Sequence, residues 1–259
     1  MSAFDPVWLT LLIAAFFAGF VDAVAGGGGL IQVPALFAAL PRESPATLFG
    51  TNKLASIFGT LSAARRYVRA VTLPWRLVLP AAGAAFLFSF LGAAVVAWLP
   101  KDVVRPLVLV LLVAVAVYTW SKPDFGASKR SPRVAAEHLV AVAILVGALL
   151  GFYDGFFGPG AGSFMIFAFV RFFGMDFLHA SAAAKILNAS TNAGALLLFA
   201  PTNHVLWTLG FGMALCNIAG SRLGSKLAIK HGSGFVRAVF LLMTSLLIVK
   251  IAWDTWGTP

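Results

Sequence analysis

The sequence predicts an all-helical membrane protein made of two inverted repeats, each with about five hydrophobic helical segments. Three observations support this prediction: a very apolar composition, a 132-residue internal repeat, and basic residues that change loop between the halves. Hydrophobic residues make up 60% of the 259 residues and charged residues 11%, whereas a soluble domain averages about 25% charged residues. The apolar runs have the length of helices rather than of strands of about ten residues, which excludes an outer-membrane barrel.

Composition also excludes several functions. The net charge of +10 does not indicate a nucleic-acid partner, because no basic cluster is interleaved with aromatic residues and Lys/Arg excess is normal in cytoplasmic loops. The single cysteine, Cys216, cannot form an intramolecular disulfide, and the four histidines lack metal-ligand spacing. No histidine is placed to activate a nucleophile. We therefore expect no metal, no cofactor and no enzymatic activity.

The hydrophobic segments form two series of five, separated by a polar, basic linker. The first series covers residues 7–25, 30–40, 46–64, 75–99 and 104–120, and the linker runs from Lys122 to Arg133. The second series covers residues 138–157, 162–173, 178–199, 206–229 and 235–253. The first stretch lacks a basic n-region and contains Asp22, so we expect a retained helix rather than a cleaved signal peptide. We place the first repeat at 1–121, the linker at 122–137 and the second repeat at 138–259.

A shift of 132 residues aligns the two halves without a gap. It pairs residues along the whole half, including rare ones: Gly19 with Gly151, Asp22 with Asp154, Lys53 with Lys185, Trp75 with Trp207 and Gly92 with Gly224. Identities spread over more than 70 positions are typical of an internal duplication.

The basic residues indicate that the repeats are inverted. Arg65, Arg66 and Arg69 follow the third segment of the first half, and the equivalent positions of the second half are uncharged. Around the fourth segment the pattern is opposite: the second half carries the basic residues, which are Arg222, Lys226 and Lys230. Because positive charge marks cytoplasmic loops, corresponding loops lie on opposite sides, as in many secondary transporters. The linker is then cytoplasmic, and both termini face outward.

The second segment of each half is too short to span a bilayer. A dozen residues form about 17 Å of helix, against a hydrocarbon core of about 30 Å. Together with the preceding glycines, the first two segments of each repeat predict a Gly-rich hairpin whose tip lies inside the membrane. Three further segments cross the membrane, so each repeat crosses it an odd number of times. Two such repeats in succession must have opposite orientations, which again predicts inversion.

Each hairpin contains a glycine-rich break. Non-helical backbone at membrane depth is tolerated only where protein buries it or water reaches it. The glycines allow close approach, and the following short helix presents N–H groups and its positive dipole end, which suits an anion. Tight packing through small residues is the structural alternative. The residues concerned are Gly26, Gly27, Gly28 and Gly29 in the first break and Gly158, Gly160, Gly162 and Ser163 in the second.

Asp22 and Asp154 lie about one turn before these breaks. An ionisable residue within a membrane segment indicates function. Such a carboxylate could carry a coupling proton, since loss of water favours its neutral form. It could equally brace the break by accepting backbone N–H groups. The sequence leaves both interpretations open.

Lys53 and Lys185 begin polar faces on the third segments. Residues 53, 56 and 60, and residues 185, 188 and 192, follow the i, i+3, i+7 spacing of one helix face. We expect these faces to point into the bundle, with Asn52, Asn188 and Asn192 beside the lysines. Each lysine could hold a negative substrate, pair with Asp22 or Asp154, or extend to the interface.

Several motifs resemble the TauE/SafE family of sulfite and organosulfonate transporters, particularly its YfcA-like branch. They are Gly19-Phe20-Val21-Asp22 through Gly29, Thr51-Asn52-Lys53-Leu54, the stretch from Gly151 to Ser163, and Ala184-Lys185. The resemblance covers nearly the whole chain. It implies a multi-pass bacterial inner-membrane carrier of oxyanions such as sulfite, sulfonates or sulfoacetate, driven by a proton or ion gradient.

We therefore expect a secondary transporter that works by alternating access. Its expected partners are a small anionic substrate, the lipid bilayer and a coupling proton or cation; both a monomer and a homodimer fit the sequence. An ion channel, or a cation or proton carrier using the aspartates, is the alternative, and short loops disfavour a scaffold. The candidate substrate ligands are Gly26, Gly27, Gly28, Gly29, Asn52, Lys53, Gly158, Gly160, Gly162, Ser163, Lys185, Asn188 and Asn192.

Overall fold

The computed structural model describes residues 6–98, Pro132 and residues 134–256, and the regular secondary structure in these ranges is helical. The helices of the first half are α1 (Pro6–Ala25), α2 (Gly29–Ala39), α3 (Pro45–Ala70) and α4 (Trp75–Trp98). After a 3-10 turn at Ala136–His138 come α5 (Leu139–Phe156), α6 (Ala161–Phe173), α7 (Phe177–Phe199) and α8 (Trp207–Trp256). The predicted segment 104–120 and the linker 122–133, apart from Pro132, lie outside the described residues.

The helix lengths agree with a membrane-embedded protein. Within the described ranges, three stretches are long and apolar enough to cross a bilayer: Pro6–Ala25, Trp75–Ala97 and Ala136–Phe156. The short second helices, α2 and α6, have 11 and 13 residues, so each is only about 16–20 Å long. Inside α8, Gly232 has non-helical torsion angles (φ 71°, ψ −163°). This interruption falls between the predicted segments 206–229 and 235–253.

Helix α3 is longer than its hydrophobic segment. The sequence predicted residues 46–64, but the helix continues for six more residues to Ala70. Arg65, Arg66 and Arg69 are exposed on this last part, and arginine is a good helix former. The end of the apolar segment therefore does not mark the end of the helix, and Tyr67 beyond it is still buried. At its start, the Ser44 side chain accepts the Thr47 N–H and Pro45 occupies the first turn.

The two halves interlock through their fourth helices. Helix α4 packs against α5 and α7 of the second half, and α8 packs against α1 and α3 of the first. A Cβ on Gly92 would lie 2.2 Å from the Phe152 carbonyl oxygen, and a Cβ on Gly224 would lie 2.4 Å from that of Phe20. The residues of one contact stand 132 positions from those of the other, with the roles of the halves exchanged.

A pair of hydrogen bonds has the same reciprocity. Ser89 Oγ donates to the carbonyl of Thr191 at 2.7 Å, and Ser221 Oγ donates to the carbonyl of Gly59 at 2.5 Å. Each serine lies on a fourth helix and each acceptor on the third helix of the other half. The same interhelical contact is thus built twice from equivalent residues.

Exposed basic residues from both halves lie at one end of the bundle. Helices α3 and α8 run in the same direction, because Thr51 Oγ1 accepts the Leu206 N–H near their starts and Ser221 reaches Gly59 further along. Their later parts therefore lie at the same end. The exposed basic residues there include Arg65, Arg66 and Arg69 on α3 and Lys226 and Lys230 on α8.

Candidate functional site

The two glycine-rich breaks interrupt the bundle between a long and a short helix. Gly26 follows α1 with φ 78°, and Gly158 and Gly160 follow α5 with φ 92° and 80°. This region of backbone torsion is readily available only to glycine. The reversals after Ala25 and Phe156 therefore require the glycines that the sequence analysis singled out.

The first break contacts the start of α6. Ser163 N donates to the Gly26 carbonyl at 3.1 Å, and Ser163 Oγ donates to the Ala25 carbonyl at 2.8 Å. A Cβ on Gly26 would lie 2.3 Å from the carbonyl carbon of Gly162. The glycines thus serve close backbone packing as well as chain reversal.

Two ion pairs cross between the halves. Lys53 Nζ lies 2.6 Å from Asp154 Oδ1, and Lys185 Nζ lies 2.8 Å from Asp22 Oδ2. The lysine side chains are 2% and 0% exposed, so neither extends to the interface. Each pair joins the third helix of one half to the first helix of the other. Of the roles that the sequence left open for the lysines, pairing with the aspartates is the one seen in the structure.

Side chains, not backbone N–H groups, complete the carboxylate contacts among the described residues. Thr191 Oγ1 donates to Asp154 Oδ2. Asp22 accepts from Thr60 at 3.3 Å and from Asn188 Nδ2 at 3.4 Å. Asp22 is also more open, with 14% of its side chain exposed against 4% for Asp154. The aspartates therefore link α1 and α5, just before the breaks, to side chains of α3 and α7.

A small polar cavity, partly open to its surroundings, lies where these groups meet. The predicted ligands that line it are Gly26, Gly28, Gly29, Asn52, Lys53, Gly158, Gly162, Asn188 and Asn192. Asp22, Asp154, Ser56 and Asn217 also line it. The predicted ligands Gly27, Gly160, Ser163 and Lys185 do not border the cavity and stand behind its wall.

Several backbone N–H groups at the breaks are unpaired. Within the described ranges, none of five glycine amides donates to an acceptor; they belong to Gly27, Gly28, Gly29, Gly160 and Gly162. Gly28, Gly29 and Gly162 also line the cavity. Unpaired N–H groups at the start of a helix attract negative charge.

The family model described as "Sulfite exporter TauE/SafE" matches residues 11–251. The chain belongs to the TauE/SafE family. It is 36% identical over 247 residues to the "Probable membrane transporter protein YfcA" of Escherichia coli K12, covering 95% of this chain and 90% of that protein. It is 38% identical over 245 residues to "Probable membrane transporter protein ORF9" of a Sinorhizobium species, covering 94% and 92%. A "Probable membrane transporter protein" of Haemophilus influenzae is 34% identical over 244 residues, with 94% of each chain covered.

No solved structure matches the chain. Family membership and the apolar helices show a membrane-embedded protein, and the names of these relatives support a role as a transporter. The residues that carried the TauE/SafE resemblance lie together in the structure: Asp22, Lys53, Asp154 and Lys185 form the central ion pairs.

Two residues that line the cavity, Ser56 and Asn217, were not among the ligands predicted from the sequence. Ser56 lies on the polar face that begins at Lys53. Asn217 stands alone in the apolar segment 206–229, and its equivalent in the first half is Ala85. A solitary amide within a membrane helix is costly. The presence of one amide in this apolar segment could therefore have identified Asn217, although no equivalent residue occurs in the other half.

The charges at this TauE/SafE site cancel. Two lysines face two aspartates, so the formal charges of the two pairs sum to zero. The cavity is lined by the side-chain amides of Asn52, Asn188 and Asn192, by glycine backbone and by the Lys53 ammonium group, which Asp154 holds. It therefore presents hydrogen-bonding groups and one paired cation.

Proposed function

We propose that this TauE/SafE protein is a secondary transporter of small sulfur-containing oxyanions, such as sulfite, sulfonates or sulfoacetate. The observation that carries the proposal is the polar cavity at the two helix breaks. It is lined by Gly28, Gly29 and Gly162, whose N–H groups have no acceptor among the described residues, and by the side-chain amides of Asn52, Asn188 and Asn192. The family description names a sulfite exporter, which agrees with a ligand whose oxygens accept several hydrogen bonds.

The donors would surround the anion from both halves. Gly28 and Gly29 would direct N–H groups from the first break, and Gly162 would do so from the second. The amides of Asn188 and Asn192 extend the same surface along α7. Asn192 Nδ2 donates to Asn188 Oδ1 at 3.0 Å, which leaves the Asn188 amide group oriented toward Asp22. Fixed donors of this kind bind an anion with little reorganisation.

The lysines would provide ion or proton coupling. A substrate oxygen in the cavity would compete with Asp154 for Lys53, which lines it. A carboxylate that takes up a proton releases its lysine, so anion and proton would enter together without adding net charge. Asp22 is the more accessible carboxylate and therefore the better candidate for this proton.

Alternating access would come from movement of one half against the other. The duplicated contacts of α4 and α8 support two inverted repeats related by a pseudo-twofold axis through the cavity. A site at the interface of such repeats is a recurring arrangement in secondary transporters. The repeats would be residues 1–121 and 138–259, as the sequence predicts.

The distribution of charge supports an orientation. The exposed basic residues at the later parts of α3 and α8 would face the cytoplasm. Helix α5, which follows the basic linker, runs parallel to α4: Gly147 contacts Ala81 and Gly155 contacts Ser89. Both helices therefore start at the basic end, so the linker would also be cytoplasmic and the termini outside, in the inner membrane.

Binding and transport of a small panel test the proposal. Purified protein is heated with sulfite, sulfate, sulfoacetate, taurine or acetate at two pH values, because a ligand of the native state raises the melting temperature. Proteoliposomes loaded with the anion that binds then report its release. We expect a sulfur oxyanion to bind and to be transported. Lys53→Met combined with Asp154→Asn should abolish both, while the exposed Lys226→Met should change neither.

The main rival is a cation or proton carrier that uses the aspartates. Stabilisation by sodium, potassium or calcium, without any effect of the anion panel, would favour that rival and contradict the anion proposal. Equal transport by the Lys53/Asp154 double variant would show that the ion pair takes no part in the substrate path.

A further inference from the structure

The cavity has one wall of side-chain amides that no part of the second half repeats. Asn217 Nδ2, on α8, donates to Gln32 Oε1, on α2, at 3.1 Å. Gln32 Nε2 in turn donates to the main-chain carbonyl of Asn52, on α3, at 3.5 Å. All three residues are buried. A buried amide is costly unless its groups are hydrogen-bonded, so this chain of contacts holds three helices in one register.

Asn52, the last residue in this series of contacts, has unused hydrogen-bonding capacity. Its Oδ1 is buried without a hydrogen-bond partner, and among the described residues its side-chain amide makes no hydrogen bond. The residue is 5% exposed and lines the cavity. A buried, unpaired amide is expensive, and a polar ligand in the cavity would satisfy it.

The equivalent positions of the repeat cannot build such a wall. A shift of 132 residues takes Gln32 to Phe164 and Asn52 to Ala184 in the second half, and Asn217 to Ala85 in the first. None of these side chains has an amide. The ion pairs are reciprocal, but the linked amides of Gln32, Asn52 and Asn217 occur once; the other amides that line the cavity, those of Asn188 and Asn192 on α7, contact Asp22 and each other instead.

The backbone leaves space for this wall. Asn217 Oδ1 lies 1.8 Å from the position that a Cβ on Gly59 would occupy. The residue equivalent to Gly59 is Thr191, which contacts Asp154 instead. Next to Gly59 the polar group is the side chain of Asn217, on α8. At the equivalent position of the repeat the polar group is Thr191 itself, on α7.

We propose that the ligand binds off-centre, against the amide of Asn52, and that Gln32 and Asn217 position that amide. The inference rests on the proposed function and assigns to it one substrate position per chain. Lys53, the next residue on α3, also lines the cavity and would hold the same ligand. Gln32 does not line the cavity and acts through Asn52.

The test is a double-mutant cycle on the purified full-length protein in detergent. The probe is sodium sulfite, or the panel anion that wild type binds most tightly, and the readouts are the dissociation constant and the binding stoichiometry. Asn52→Leu removes the contacting amide, Gln32→Leu removes its support, and a third protein carries both changes. Phe164→Leu, at the position equivalent to Gln32, is the matched control.

We expect one anion per chain in wild type and about ten- to hundredfold weaker binding in Asn52→Leu, the range for one hydrogen bond to a charged group. Gln32→Leu should weaken binding severalfold alone but have almost no effect in the Asn52→Leu background, because it acts through Asn52. A purely structural role of Gln32 would give the same loss in both backgrounds. Phe164→Leu should bind as wild type does.

Distinct results overturn distinct proposals. No anion binding by wild type would contradict the proposed function and this inference with it. Normal binding by wild type and by Asn52→Leu would contradict the inference alone. Two anions per chain, or an equal loss in Phe164→Leu, would contradict a one-sided site. If Asn52→Leu does not fold, Asn52→Ala replaces it in the same cycle, with the same expectations.

Discussion

At the residue level, the buried ion pairs give a testable contribution to the stability of the fold. Lys53 and Asp154 are each almost completely buried at 2.6 Å. Removing one member leaves an uncompensated charge, which costs about 3–5 kcal/mol, whereas replacing both with uncharged residues is often neutral. We therefore expect Lys53→Met or Asp154→Asn alone to lower the melting temperature by about 10 °C. The double variant should recover most of that loss.

Thermal unfolding of the purified protein with and without each change measures this coupling. The same cycle on Lys185 and Asp22 is the internal comparison, since that pair is longer, at 2.8 Å, and its aspartate is more accessible. A double variant no more stable than either single variant would show that the two side chains stabilise the fold through separate contacts.

At the level of helices, the sequence predicted the segments well because apolarity and glycine breaks reflect local chemistry. The described helix boundaries α1, α2, α6 and α7 agree with the predicted segments to within about one residue. The end of α3 was missed because helical geometry continues through exposed arginines beyond the membrane-buried part. The sequence also could not predict which lysine pairs with which aspartate. That pairing depends on how the helices of one half pack against those of the other.

The amide wall was missed for a related reason. The repeat draws attention to residues that occur twice, such as Asp22 and Asp154. Gln32 and Asn217 occur once, and their equivalents, Phe164 and Ala85, belong to an ordinary apolar helix. The packing of α8 against α1 and α3 brings Asn217 to the cavity and into contact with Gln32, and only the three-dimensional structure reveals this.

The helix crossings give a prediction with a control on the same helix. A Cβ on Gly92 would lie 2.2 Å from the Phe152 carbonyl oxygen, a backbone atom that cannot move aside cheaply, whereas a Cβ on Gly83 has no atom within 4 Å. We expect Gly92→Ala to separate α4 from α5 and to lower the melting temperature strongly. Gly83→Ala should leave it within a few degrees of wild type. Equal behaviour of the two variants would show that this crossing tolerates a larger spacing.

At the level of the whole molecule, the proposed orientation rests on where charge lies along the bundle. Arg69 ends α3 and Lys230 lies on α8, and both are exposed at the same end. Arg42 precedes α3 and is also exposed, but α3 has 26 residues, so about 39 Å of helix separates Arg42 from the other end. That distance exceeds the thickness of the hydrocarbon core. The single cysteine, Cys216, allows these sites to be labelled one at a time after its removal.

We expect opposite labelling at the two ends of α3. In a Cys216→Ser background, single cysteines replace Arg69, Lys230 or Arg42, and intact cells are treated with a membrane-impermeant maleimide. Arg42→Cys should react in intact cells, whereas Arg69→Cys and Lys230→Cys should react only after permeabilisation, because positive charge is retained in the cytoplasm. The Cys216→Ser protein controls for background. Labelling of Arg69→Cys without Lys230→Cys would contradict inverted repeats, since these residues come from different halves. Labelling of both, with Arg42→Cys protected, would keep the inversion but reverse the orientation of the protein in the membrane.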